Sequence, residues 1–123
     1  MVKLQTIRDA RGNITVIERL PFPIRRVYYL HGIEPGASRG GHSHRALRRL
    51  FVAVAGAFTI EVDGLPIRMD DPAQGLYIDP LQWIDLYDFT PGAVCLVLAS
   101  EEYKEADYIR GRNDSARLRK AAA

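Results

Sequence analysis

Arg39-Gly40-Gly41-His42-Ser43-His44 is the stretch on which the reading of this chain turns. On an extended segment successive side chains alternate between faces, so two histidines one residue apart point the same way. An apolar run follows, Leu50 to Ala55, and then Gly56, suited to a turn. A small β-barrel places a reactive pair inside its mouth in this manner. The third histidine, His31, stands alone. The chain therefore has one concentrated place for proton chemistry near neutral pH.

Outward from that stretch the pattern is one of short strands broken by turns. Asp9-Ala10-Arg11-Gly12-Asn13 reads as a turn, with a β-branched strand from Ile14 to Leu20 ended by Pro21 and Pro23. Arg25 to Leu30 reads as a strand with Arg26 and Tyr28 on one face and Val27 and Tyr29 on the other. Arg48 to Ala55 reads as a buried strand. From Ala57 to Val62, alternation puts Phe58, Ile60 and Val62 inward. Asp63-Gly64 is a hairpin signal of the type I′ kind, and Leu65 to Met69 pairs back. Leu76 to Ile78, Trp83 to Tyr87 and Val94 to Ala99 complete the series. Regularly spaced short strands predict an all-β sandwich or barrel. Only the end, from about Glu101, reads as irregular or helical.

A chain of 123 residues is large enough for one core and too short for two domains. We divide it into a single domain over 1–112 and a C-terminal tail over 113–123. The net charge of +2 is too small to imply nucleic acid. Much of the excess lies near the end, in Arg110, Arg112, Arg117, Arg119 and Lys120, a pattern that reads as a solvated tail. Met1-Val2-Lys3-Leu4-Gln5 has no signal-peptide core, and no apolar run approaches membrane-spanning length. The expectation is a cytoplasmic protein without membrane contact. The lone Cys95, inside an apolar run, reads as packing.

His42 and His44 carry two readings. His-x-His opens the metal site of jelly-roll barrels of the cupin type. In that pattern a glutamate follows, seven residues before the turn glycine, and this chain has Arg49 there. The later ligand position, after Pro80 and Trp83, is Ile84. Two of four ligands are missing, and a guanidinium beside a divalent ion repels it, so no metal is expected. The other reading is proton transfer: a neutral imidazole takes a proton from carbon beside a carbonyl and returns it elsewhere. Arg26, Arg39 and Arg49 lie on or beside strands near the pair and are candidates to hold an anionic substrate bidentately. Tyr28 shares a face with Arg26 and is placed to donate or relay a proton. No Gly-rich phosphate loop supports a nicotinamide cofactor, and no cofactor is expected.

Five segments, in order, resemble the nucleotide-sugar 3,4-ketoisomerases, WxcM-like cupins acting on dTDP-4-keto-6-deoxyglucose. They are Asp9-Ala10-Arg11-Gly12, Pro21 through Tyr29, Arg39 through His44, Gly75 through Trp83, and Val97 through Ser100 with Tyr103 and Asp107-Tyr108-Ile109-Arg110. The resemblance implies an all-β cupin jelly-roll barrel, free of metal, and a homodimer with exchanged N-terminal strands. It implies conversion of the dTDP-linked 4-keto sugar to a 3-keto sugar through an enediol, in deoxy- and amino-sugar biosynthesis. His42 would be the base that removes the C3 proton and supplies one at C4. His44 would assist transfer between the oxygens, with Tyr28 and Arg11 nearby. Arg26 and Arg39 would hold the diphosphate, and aromatic rings would stack on the thymine. Trp83, Ile84 and Arg49 would complete the substrate cavity.

The chain departs from the family pattern twice. Most members carry histidine where this chain has Ile84, and glutamine or glutamate where it has Arg49. Both positions are expected to face the lumen. The departures raise two possibilities beside a compensated swap: altered C4 stereochemistry, or a different nucleotide sugar. They also motivate the alternatives of a nucleotide-sugar-binding cupin without turnover and of a related cupin epimerase.

Overall fold

The turn signals resolve into strands of two to seven residues in the computed structural model, which describes residues 1–122. In chain order they are β1 (Val2–Lys3), β2 (Gln5–Asp9), β3 (Gly12–Val16), β4 (Arg26–Leu30), β5 (Arg39–His44), β6 (Arg49–Ala55) and β7 (Phe58–Val62). There follow β8 (Leu65–Met69), β9 (Gln74–Ile78), β10 (Ile84–Tyr87), β11 (Val94–Ala99), β12 (Tyr108–Ile109) and the helix α1 (Arg112–Ala122). Two five-stranded antiparallel sheets form, in the orders β1-β9-β6-β11-β4 and β12-β5-β10-β7-β8. The hairpin β2–β3 stands apart as a two-stranded sheet. This is an all-β jelly roll. Its sheets face each other without closing into a continuous hydrogen-bonded barrel.

The core between the sheets comes from alternate residues of both. Phe51 and Ala53 of β6 and Cys95 and Val97 of β11 meet Phe58 and Ile60 of β7 and Ile84 and Leu86 of β10. Asp63 and Gly64 both take positive φ, 48° and 88°, the type I′ geometry that suits the twist of the flanking strands. Burial pushes the Cys95 thiol up to about 12, which suits an inert packing role.

Two expectations change. The strand expected over Ile14 to Leu20 ends at Val16 and pairs, across the expected turn at Asp9 to Asn13, with β2, a strand not itself expected. Arg19, in the left-handed region at φ 55°, breaks the extended run before Pro21. The C-terminal segment, expected to be irregular or helical and solvated, is a helix whose basic side chains are mostly exposed but which is attached to β5 at one point. Ser115 is fully buried; its hydroxyl lies 2.6 Å from that of Ser43 and donates to the Leu81 carbonyl at 3.0 Å.

The paired glycines of the histidine motif form a β-bulge. β10 pairs with β5 as Ile84↔His42 and then Asp85↔Gly40, leaving Gly41 as the extra residue. Gly40 has φ +100°, and a Cβ there would lie 2.8 Å from the Ile84 carbonyl oxygen. Gly40→Ala is expected to cost about 1–3 kcal/mol, read as a lowered denaturation midpoint. Gly41→Ala, which would meet only the Asp85 side chain at 3.6 Å, is expected to cost less.

Candidate active site

The rows of the first sheet build one wall of a cavity of about 300 Å³ between the sheets. Arg26 of β4 and Arg49 of β6 both register on Ala99 of β11, so the two arginines flank a small residue on one face. Tyr28 and Phe51 flank Val97 in the next row, and Leu30 lies beyond. The opposite wall is Ile84 and Leu86 of β10 with Arg39, Gly40 and His42 of β5. Tyr108 of β12 closes the side, placed there because it registers on His44. The volume lies at the lower end of the range for small-molecule sites.

Alternation along β5 separates its functions. Ser43 points outward to α1, while His42 and His44 point inward with rings 5.1 Å apart and perpendicular. The ring of Tyr108 lies 4.3 Å from that of His44 and 5.1 Å from that of His42. The Nδ1 atom of His42 lies 3.3 Å from the Gly40 carbonyl oxygen. A carbonyl can only accept, so this contact requires hydrogen on Nδ1 and leaves the Nε2 lone pair free. His44 meets the same condition, with Nδ1 donating to Asp107 Oδ2 at 3.1 Å. Asp107 Oδ1 accepts from the Ala46 backbone N–H at 2.8 Å, so the carboxylate is fixed at both oxygens. Both histidines are thus set as bases at Nε2.

Electrostatics keep them neutral. Burial lowers the affinity of His42 for a proton, and the Arg49 charge lowers it further. His44, 3% exposed, is pushed well below the usual imidazole range by burial, then by Arg49 and His42. Asp107 opposes this and is outweighed, so the His44–Asp107 contact is a hydrogen bond to a neutral ring. The consequence for stability follows by linkage. Above about pH 6.5 the rings are neutral folded or unfolded and nothing changes. Below it the unfolded chain binds protons that the native state refuses, so stability falls as pH drops from about 6.5 toward the lower folded values. For His44 the slope reaches about 1.4 kcal/mol per pH unit. Urea denaturation from pH 8 to 5 is expected to show this slope, and His44→Gln to flatten it.

The lumen is cationic. Arg39 is exposed, Arg26 half-buried and Arg49 2% exposed. The Nε atoms of Arg26 and Arg49 are buried without a hydrogen-bond partner. The guanidinium carbons of Arg26 and Arg49 lie 5.1 and 5.2 Å from the ring centroids of Tyr28 and Phe51. The histidine pair therefore faces a cation and the apolar Ile84, not further metal donors. Among the described residues no three His, Cys, Asp or Glu side chains converge.

Six of the expected residues come together at this cavity: Tyr28, Arg26, Arg39, His42, Arg49 and Ile84. His44 stands directly behind His42. Two do not join them. Trp83, 8% exposed, is turned the other way from Ile84 by strand alternation and packs beside Asp63, Arg112, Ala116 and Arg119. Its backbone N–H donates to Asp63 Oδ1, so it pins the β7–β8 turn under α1. Arg11 sits at the tip of the β2–β3 hairpin, its side chain 91% exposed and paired with Asp9. It is outside the cavity of its own chain. Tyr108 and Asp107 were missed as site residues; they fall in one of the resembling segments, but no spacing signal gave them a role.

A jelly roll whose lumen is lined by His42 and three arginines, with His44 packed against His42 behind it, is suited to proton chemistry on an anionic small molecule. The chain belongs to the family described as FdtA, WxcM-like C-terminal, which matches residues 1–120. It is 37% identical over 117 residues to the TDP-4-oxo-6-deoxy-α-D-glucose 3,4-oxoisomerase of Aneurinibacillus thermoaerophilus, covering 89% of this chain and 84% of that one. Among solved structures it is similar to a sugar 3,4-ketoisomerase from Thermoanaerobacterium thermosaccharolyticum in complex with TDP. The TM-score there is 0.93 at 40% identity, covering 98% of this chain and 93% of the other. A TDP-quinovose 3,4-ketoisomerase from Campylobacter jejuni gives a TM-score of 0.88 at 36% identity, covering 94% and 95%. No helix among the described residues is long and apolar enough to cross a membrane.

Proposed function

We propose that this protein is a sugar 3,4-ketoisomerase that converts TDP-4-keto-6-deoxyglucose to the TDP-linked 3-keto-6-deoxyhexose. The observation that carries the reading is the pair of neutral histidines, both hydrogen-bonded at Nδ1 to acceptors, beside a cationic lumen. The names of the relatives at 37% and 40% identity supply the substrate class.

The chemistry runs on two proton movements. The C4 carbonyl acidifies the neighbouring C3–H. His42 Nε2 takes that proton; the C–H electron pair forms the C3–C4 double bond, and the carbonyl oxygen O4 becomes an oxyanion. His44 Nε2 accepts the O3 hydroxyl proton and delivers it to O4. The C3–O3 bond then becomes a carbonyl as the electron pair returns to C4, which takes the proton held on His42. Atoms and electrons balance without an external electron acceptor. Arg39 and Arg26, the exposed and half-buried cations, hold the diphosphate.

The assembly we propose is a homodimer with exchanged N-terminal strands. β4 lies at an open edge of its sheet, with Val27 and Tyr29 exposed, 57% and 60%. The separate hairpin carries exposed Ile7 and Ile14. Crossing of the hairpin to a second copy would cover both surfaces and could bring Arg11 to a neighbouring site.

Proton NMR of the protein with TDP-4-keto-6-deoxyglucose in deuterated water tests the function. Loss of the C3 proton signal with a new 3-keto species is the expected result, and its coupling constants give the C4 configuration. Line broadening of substrate with an unchanged spectrum would overturn the enzyme reading in favour of a binding protein.

A further inference from the structure

We propose that Arg49 is a catalytic residue of this site, its guanidinium binding the oxyanion that develops on the sugar as C3 loses its proton. The inference rests on the ketoisomerase reading above and goes beyond it, because it assigns the deepest cation of the lumen to the reacting atoms and not to the diphosphate.

Three observations converge on Arg49. It is 2% exposed, its Nε has no partner, and no carboxylate among the described residues lies within salt-bridge distance. A second arginine, Arg26, faces the same lumen one strand beyond Ala99. Burying a cation beside another without a counter-ion is costly, so such a group is kept for a negative charge that the resting protein lacks.

Depth decides which charge that is. The three arginines are graded from exposed Arg39 through half-buried Arg26 to fully buried Arg49. A diphosphate is doubly charged and strongly hydrated and belongs with the outer two. With the diphosphate held there, the sugar ring would extend toward Arg49, which lies in the row beside Tyr28 and Phe51 and within electrostatic reach of both histidines. The only negative charge the ring acquires is the enediolate. A fixed cation in a dry site is worth most when charge develops in the transition state. The same charge keeps His42 and His44 neutral and competent as bases before the reaction.

The test compares wild type, Arg49→Gln and Arg49→Lys with TDP-4-keto-6-deoxyglucose, scoring C3 proton exchange, kcat, KM and the affinity for TDP alone. Arg49→Gln is expected to lose about 10²-fold in kcat with TDP affinity unchanged. Its acid limb of kcat is expected at higher pH than in wild type, because the histidines bind protons more readily without the cation. Arg49→Lys keeps the charge and is expected to restore part of kcat. Removing a buried cation that has no carboxylate partner is expected to leave the denaturation midpoint equal or higher, which separates catalysis from folding. Weaker TDP binding by Arg49→Gln at unchanged kcat would overturn the proposal and assign Arg49 to the diphosphate. Wild-type kcat, KM and pH profile in the variant would overturn it outright. A wild-type protein that binds TDP and never exchanges the C3 proton would instead remove the isomerase reading itself, and the proposal with it.

Discussion

His42→Asn is expected to eliminate exchange of the C3 proton and to lower kcat by about 10²–10⁴-fold. The residue stands on the cavity wall with its Nδ1 held by the Gly40 carbonyl, so the free lone pair is on Nε2. In the proposed reaction that nitrogen both takes the proton from C3 and returns it to C4, and no second base in the lumen is placed to do both. Asparagine keeps a polar side chain of similar reach to the Gly40 carbonyl but cannot accept a proton at neutral pH. TDP affinity is expected to stay near the wild-type value, because Arg26 and Arg39, the arginines proposed to hold the diphosphate, are untouched. Exchange of deuterium into the substrate, followed by proton NMR, reads the result directly. Residual C3 exchange at the wild-type rate would move the base elsewhere in the lumen.

Asp107→Asn is expected to lower kcat by about 10²-fold while the protein stays folded. Asp107 accepts at both oxygens, from His44 Nδ1 and from the Ala46 backbone N–H. An amide can keep its oxygen on Ala46 only by turning its NH₂ toward His44. Nδ1 must then accept, which moves the ring hydrogen to Nε2 and blocks the lone pair that in the proposed reaction carries the proton between O3 and O4. Nitrogen-15 NMR of the histidine rings is expected to report this change of tautomer. A purely structural role would leave the tautomer unmoved. In the proposed reaction Asp107 acts through His44, as a positioning residue.

Ile84 gives the lumen its other unusual feature. It registers on His42 and is 1% exposed, so an apolar side chain lines the wall next to the base. It faces Arg49 across the cavity, so an apolar wall lies opposite the most buried of the lumen's cations. The apolar wall alone would disfavour an anion; the cation is what would favour one, and the low dielectric strengthens its attraction.

Much of the scaffold was legible from alternation. Phe58, Ile60 and Val62 pack inward as their spacing predicts, and Asp63-Gly64 makes the two-residue turn that its chemistry favours. Arg26 and Tyr28 share the lumen face of β4, while Val27 and Tyr29 are exposed. The histidine pair could be singled out because i, i+2 placement on a strand is a local property that needs no knowledge of the fold. The bulge at Gly40 and Gly41 carries a sequence signal too, since only glycine occupies such backbone without strain.

Other features had no local signal. Trp83 and Ile84 are neighbours in sequence and face opposite ways, and which one meets the cavity depends on the register of β10 against β5. Arg11 lies on a hairpin whose placement depends on packing, not on its own residues. Asp107 reaches His44 across 63 residues, and Tyr108 arrives through a two-residue strand too short to show a period.

The chain by itself determined an all-β fold, the inward pair His42 and His44, and an arginine-rich lumen, because each follows from spacings of two residues and from side-chain chemistry. Only the tertiary structure decided that Asp107 fixes the tautomer of His44, that Arg49 is buried without a counter-ion, and that Trp83 serves the helix rather than the cavity. Those outcomes depend on which strands pair, in what register, and on how much water the packed sheets exclude.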